Sequence, residues 1–246
     1  MFSVLKANLN RLFKNIYFIA GCILAAVITW YFVTNAEAIL GPHYREKAGA
    51  MQLISIGVIM FVSIFAPIFQ STEYTNGVIR NKIVMGKKQS EIYAAHYITM
   101  LVVAAAIIIS WLIGGIIAGV SVNTWLITYT VKLFFSMIAY SSFMTFIGMR
   151  FKKVITSATL GILAVQGGFS SIIIIFMVAS RNFGTFMGTV FSYIGNALAI
   201  GRWFSNSQLC DPGCNLNIVL TLVVSLVMAV IYYVIGSYRI DKRDLA

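Results

Sequence analysis

Charge is scarce in this chain. Only 10% of its 246 residues are charged, and seven acidic side chains face eighteen lysines and arginines. A soluble domain carries about 25% charged residues, so too few are present here to cover a water-facing surface. Histidine occurs twice and cysteine three times. His43 and His96 fall on opposite sides of the topology drawn below, leaving no clustered ligand set of the kind zinc requires. All seven carboxylates (Glu37, Glu46, Glu73, Glu91, Asp211, Asp241 and Asp244) lie in expected loops or at their margins. None sits at mid-membrane, where ion-coupled carriers keep an ionisable residue, and no pair of aspartates is available for intramembrane hydrolysis. The GxxxxGK[ST] phosphate cradle is missing, so ATP hydrolysis by this chain is not expected. No catalytic residue, metal site or directly bound cofactor is read from the sequence. The surplus of cations is assigned to loops facing an anionic leaflet rather than to nucleic acid.

Hydrophobic residues make up 60% of the chain, and mean hydropathy is +0.90. About 20 apolar residues cross the hydrocarbon as a helix. Six such runs occur, at 16–34, 51–70, 98–119, 127–149, 156–179 and 217–236. Runs such as SSIIIIFMVA do not alternate, which excludes barrel strands. The expected fold is an all-α membrane protein in which residues 1–246 form a single permease-like domain of six spans. With the N-terminus inside, the inner segments hold Lys6, Arg11, Lys14, Arg80, Lys82, Lys87, Lys88, Arg150, Lys152, Lys153, Arg239, Lys242 and Arg243. The outer loops hold only Arg45, Lys47, Arg181 and Arg202, with Lys132 near an outer helix end. The positive-inside rule therefore predicts two cytoplasmic termini. Ala36-Glu37-Ala38 imitates a signal cleavage site. The run before it exceeds a signal h-region of about 7–15 residues, so it is read as a span.

Three further segments stand out. Residues 1–15 place Phe2, Leu5, Leu9, Leu12, Phe13 and Ile16 on one stripe, with Lys6, Asn10 and Lys14 opposite. This is the pattern of an interfacial helix, or of an early start to the first span with a basic end. Residues 180–216 contain FGTFMGTVFSYIGNALAIG, too apolar for an aqueous loop. A seventh span would put the basic tail outside, so an outer re-entrant segment is expected before the last span. Cys210 and Cys214 flank a Pro-Gly turn in CDPGC. A disulfide is permitted there on an oxidising face, subject to geometry. Cys22, within the first span, reads as a small buried hydrophobe.

The remaining segment, 71–97 (STEYTNGVIRNKIVMGKKQSEIYAAHY), is polar, basic and punctuated by turns. Gly77 and Gly86 bracket VIRNKIVM, which forms one or two helical turns with Ile79 and Ile83 on one face. Arg80, Lys82, Lys87 and Lys88 surround it. It reads as a docking site for a soluble partner, or as a solvated basic loop that fixes topology and meets anionic lipid. Glu73-x-x-x-Gly77, then Arg80, then Gly86-Lys87-Lys88-x-x-Glu91-Ile92-Tyr93 resembles the first cytoplasmic loop of ABC-2 type permeases. The overall layout, from the amphipathic N-terminus to the DKRDL tail, is similar as well. Val78 stands where that family often has threonine, and a lysine common near the position of His96 is absent.

The resemblance implies the transmembrane subunit of an ABC exporter in a bacterial plasma membrane. Such a subunit pairs with a second permease subunit, identical or paralogous, and with cytoplasmic ATPase subunits that bind ATP and Mg. Glu73, Gly77, Arg80, Lys82, Gly86, Lys87, Lys88 and Glu91 would then form the ATPase contact. Small permeases of this kind resemble those of lantibiotic immunity and peptide-toxin export. An aromatic lining drawn from Phe61, Phe65, Phe69, Phe134, Phe135 and Phe169 would suit amphipathic cargo, although helix packing or lipid contact accounts for the same residues. A non-transporting membrane scaffold or sensor subunit is the alternative reading.

Overall fold

The structure is a computed structural model that describes residues 1–40, 47–151, 153–163 and 218–238. The expected re-entrant segment 180–216, Cys210, Cys214, Phe169, most of the fifth expected span and the basic tail lie outside these residues. Among the described residues the fold is helical throughout, with no strand. In chain order the helices are α1 Phe2–Phe13, α2 Ile16–Thr34, α3 Ala36–Leu40, α4 Lys47–Thr75, α5 Val78–Val84, α6 Gln89–Ile117, α7 Thr124–Arg150, α8 Val154–Leu163 and α9 Ile218–Ser237. Four of them, α2, α4, α6 and α7, are long and apolar enough to cross a membrane. That character is consistent with a multi-pass membrane protein.

Local chemistry sets the boundaries. Asn15 separates α1 from α2, because its Oδ1 accepts from the amides of Tyr17 at 2.9 Å and Phe18 at 3.3 Å and caps the new helix. α1 is thus a helix of its own, turning Val4, Asn8 and Leu12 inward and leaving Lys6 and Phe13 exposed. Asn123 caps α7 in the same way, accepting from Leu126 N at 3.0 Å.

Two helices run longer than their apolar cores suggest. α4 reaches Thr75 and α6 begins at Gln89, so the polar connection shrinks from the expected 71–97 to about a dozen residues. Hydroxyls along this extension of α4 bond back to its own carbonyls. Ser71 donates to Pro67 O at 2.6 Å, and Thr72 to Phe69 O at 2.9 Å. Apolar patterning marks where hydrocarbon ends, not where a helix ends.

The helices pack closely where side chains are small. A Cβ at Gly114 of α6 would lie 2.3 Å from the Ala26 carbonyl oxygen of α2. Pro67 lacks an N–H, so the Ser63 carbonyl loses its helical donor. Gly161 of α8 lies against that carbonyl, where an added Cβ would be 2.4 Å away. α4 and α7 are joined by bonds of nearly constant sequence separation. Ser55 pairs with Tyr129 (2.7 Å), Gln70 donates to Thr145 (3.3 Å) and Tyr74 donates to Met149 O (3.1 Å), at separations of 74, 75 and 75 residues. The two helices therefore run parallel and in register, with α6 as the return stroke. Trp111 of α6 donates to Met51 O at 3.1 Å, and α9 docks on α7, where Ser142 donates to Ala229 O at 3.0 Å.

Candidate functional site

The short helix α5 is set off from its neighbours by two left-handed glycines, Gly77 (φ 68°) and Gly86 (φ 78°). Glycine adopts that conformation without the Cβ clash that other residues meet. Its inner face buries Ile79, and Ile83 packs alongside. Both join a small apolar cluster with Val4, Ile92, Tyr93 and Met149. This is the pairing of Ile79 and Ile83 that helical spacing predicts.

Beneath α5 lies a buried ionic cluster centred on Glu73, which is 1% exposed. Glu73 Oε1 pairs with an Arg11 guanidinium nitrogen at 2.5 Å. Its other oxygen, Oε2, meets Lys82 Nζ at 2.5 Å and accepts from His96 Nε2 at 3.0 Å. Lys82 also donates to Asn8 Oδ1 at 2.9 Å. Arg11 donates further to Phe69 O at 2.7 Å and to Thr72 Oγ1 at 3.1 Å, and its Cζ lies 4.2 Å above the Phe69 ring. One carboxylate thus ties together α1, α4, α5 and α6. Two basic side chains converge on it, and His96 is wholly buried. Taking these charges out of water is costly unless each keeps its partners, so the four elements are held in one relative placement.

The residues expected to contact a partner divide into two groups. Glu73 and Lys82 are buried and spent on internal pairing, which removes them from any contact surface. Their neighbours hide them because α4 continues as a helix past the apolar run and carries Glu73 under α5. Arg80, Gly86 and Lys88 are exposed, while Gly77, Lys87 and Glu91 are half-buried. Glu91 pairs with the Met1 amine at 2.8 Å. Reading the sequence missed two outward residues, Val84 at 81% and Met85 at 70% exposed. The signal was present, since Val84 follows Arg80 by one turn and so faces away from Ile79 and Ile83. His96 is a further partner of Glu73, and no nearby histidine, cysteine or carboxylate pattern in the sequence marks it as one.

The expected aromatic lining separates as well. Phe61, Phe65 and Phe69 form a ladder along α4, with ring centroids 5.4 and 5.5 Å apart. All three face a largely apolar groove of about 740 Å³ between α2 and α4. Phe134 and Phe135 sit on α7, edge to face with each other at 6.1 Å, and do not line it. Among the described residues no group of three His, Cys, Asp or Glu side chains could hold a metal ion. Compared with known proteins, the chain matches no protein-family model, no curated protein and no solved structure.

Proposed function

We propose that this chain is the transmembrane subunit of an ATP-driven exporter of the ABC-2 type, and that α5 is the element on which a cytoplasmic ATPase acts. The observation that carries the reading is the grip of Glu73 on Arg11, Lys82 and His96. A helix so short would otherwise be a passive loop. Tied this way, a displacement of α5 reaches α1 and both long helices at once. Its outward face offers Val84 and Met85 beside the cations Arg80 and Lys88, which suits an apolar pocket rimmed by carboxylates. In this reading the chain has six spans, a re-entrant outer segment and cytoplasmic termini in a bacterial plasma membrane. It works with a second permease subunit, and ATP and Mg are bound by the ATPase. The cargo expected on this reading, an amphipathic peptide or other hydrophobic compound, rests on the resemblance to export permeases rather than on the groove along Phe61, Phe65 and Phe69.

Co-purification from native membranes in mild detergent tests the proposal. A soluble ATPase should accompany the intact chain near one-to-one and be lost from a Val84→Asp/Met85→Asp variant that still folds. Absence of an ATPase from the folded wild-type sample, or its retention by the variant, would overturn the assignment.

A further inference from the structure

The groove between α2 and α4 is graded along its length. One end, near Ile54 and Ile107, is apolar apart from Thr29, whose hydroxyl is turned back onto Ala25 O. At the other end lie Asn15, Phe69 and Thr72. Here the Arg11 guanidinium covers the Phe69 ring and bonds Thr72, and exposed Lys14 directly precedes Asn15. From Ile54 to Thr72 the helical rise is about 27 Å. The groove is elongated and mostly apolar. A polymethylene chain, with carbon contacts near 4 Å, fits it. The ladder from Phe61 to Phe69 rises about 12 Å, comparable to the roughly 15 Å of hydrocarbon in one leaflet.

We propose that this groove binds one acyl chain of an anionic phospholipid from the leaflet on the α1 side, with the headgroup set against Lys14 and Arg11. Within hydrocarbon an open apolar groove is filled by hydrocarbon. The two cations at a single end select the sign of the headgroup and the direction of entry. Arg11 is the weaker selector because Glu73 already pairs with it, so Lys14 supplies most of the preference. The inference rests on the apolar helices standing in a bilayer and does not depend on ATP-driven export.

The test is native mass spectrometry of the purified full chain, titrated with phosphatidylglycerol or phosphatidylcholine carrying identical acyl chains. Phosphatidylglycerol should be retained about fivefold more strongly, the effect of roughly one surface cation on anionic lipid, and Lys14→Gln should remove most of that preference. Gly57 lines the groove, and a Cβ there would meet nothing within 4 Å. Gly57→Phe should therefore fill the groove, keep the fold and lose the tightly held lipid of either kind. Ile28→Trp, from the exposed opposite wall, repeats the block independently. Equal retention of the two lipids would overturn the proposal, as would unchanged lipid in both blocked variants. A change of oligomeric state in those variants with lipid unaltered would assign the groove to contact between copies instead. No ATPase is needed for these measurements, so their failure leaves the co-purification result separate.

Discussion

Lys82 Nζ stands 2.5 Å from Glu73 Oε2, although nine residues and the left-handed turn at Gly77 separate them. The chain leaves α4, reverses at Gly77 and returns a cation to the carboxylate it has just passed. Arg11 and His96 then complete the cluster from elements remote in sequence. Short-range and long-range pairing thus meet on a single side chain.

Glu73→Gln should be among the most damaging single changes in the protein. It leaves Arg11 and Lys82 facing a neutral amide, and loss of one partner from a buried pair costs about 3–5 kcal/mol. Thermal unfolding in detergent should show the loss. In the double variant Glu73→Gln/Lys82→Met the penalty should be less than the sum of the two single changes, since contacting residues couple by about 0.5–3 kcal/mol. Strict additivity would mean that the two groups do not share a buried site.

Gly77→Ala tests the turn itself. A Cβ at Gly77 meets nothing within 4 Å, but φ is +68°, so the cost is conformational and amounts to about 1–2 kcal/mol. Gly77→Asn should recover part of it, because Asn tolerates the left-handed region. Equal unfolding temperatures for wild type and the alanine variant would show that Gly77 does not hold this conformation.

Much of this architecture was legible in the sequence. Hydropathy locates α2 at its observed bounds and finds the cores of α4, α6 and α7. Helical spacing turns Ile79 and Ile83 inward. The cluster was not legible, because Arg11, Glu73 and His96 are brought together only when α1 folds onto α4 and α6. A carboxylate in a basic stretch reads as solvated until the fold buries it. The glycines show the same limit. Gly115 and Gly119 stand at GxxxG spacing in the sequence, but the closest approach of α6 to another backbone is at Gly114, and Gly119 ends the helix at φ +89°. Spacing alone does not say which face of α6 meets α2.

Gly114 and Gly57 should respond oppositely to the same substitution. Gly114→Ala drives a methyl into the Ala26 carbonyl and forces α2 from α6, whereas Gly57 faces open space. Overpacking of this kind costs about 1–3 kcal/mol, while Gly57→Ala should be neutral or stabilise by up to about 1 kcal/mol through helix propensity. Parallel unfolding curves report the difference, and similar destabilisation by both would refute the close approach of α2 and α6.

On the exporter reading, attachment to α5 and transmission through α5 should separate by mutation. Val84 and Met85 project outward, so Met85→Asp should change stability by no more than about 0.5 kcal/mol, as other surface changes do, yet weaken ATPase co-purification. Lys82 points inward to Glu73 and Asn8. Lys82→Met leaves the outer face of α5 intact, so the ATPase should still co-purify while its stimulation by the permease falls. Assays of binding and of ATP turnover on the same two variants give the decisive comparison. If both variants lose binding together, the cluster is needed to present the outer face of α5, and attachment and transmission do not separate. If Lys82→Met leaves binding and stimulation unchanged, motion passes into the bundle by a route that bypasses Glu73.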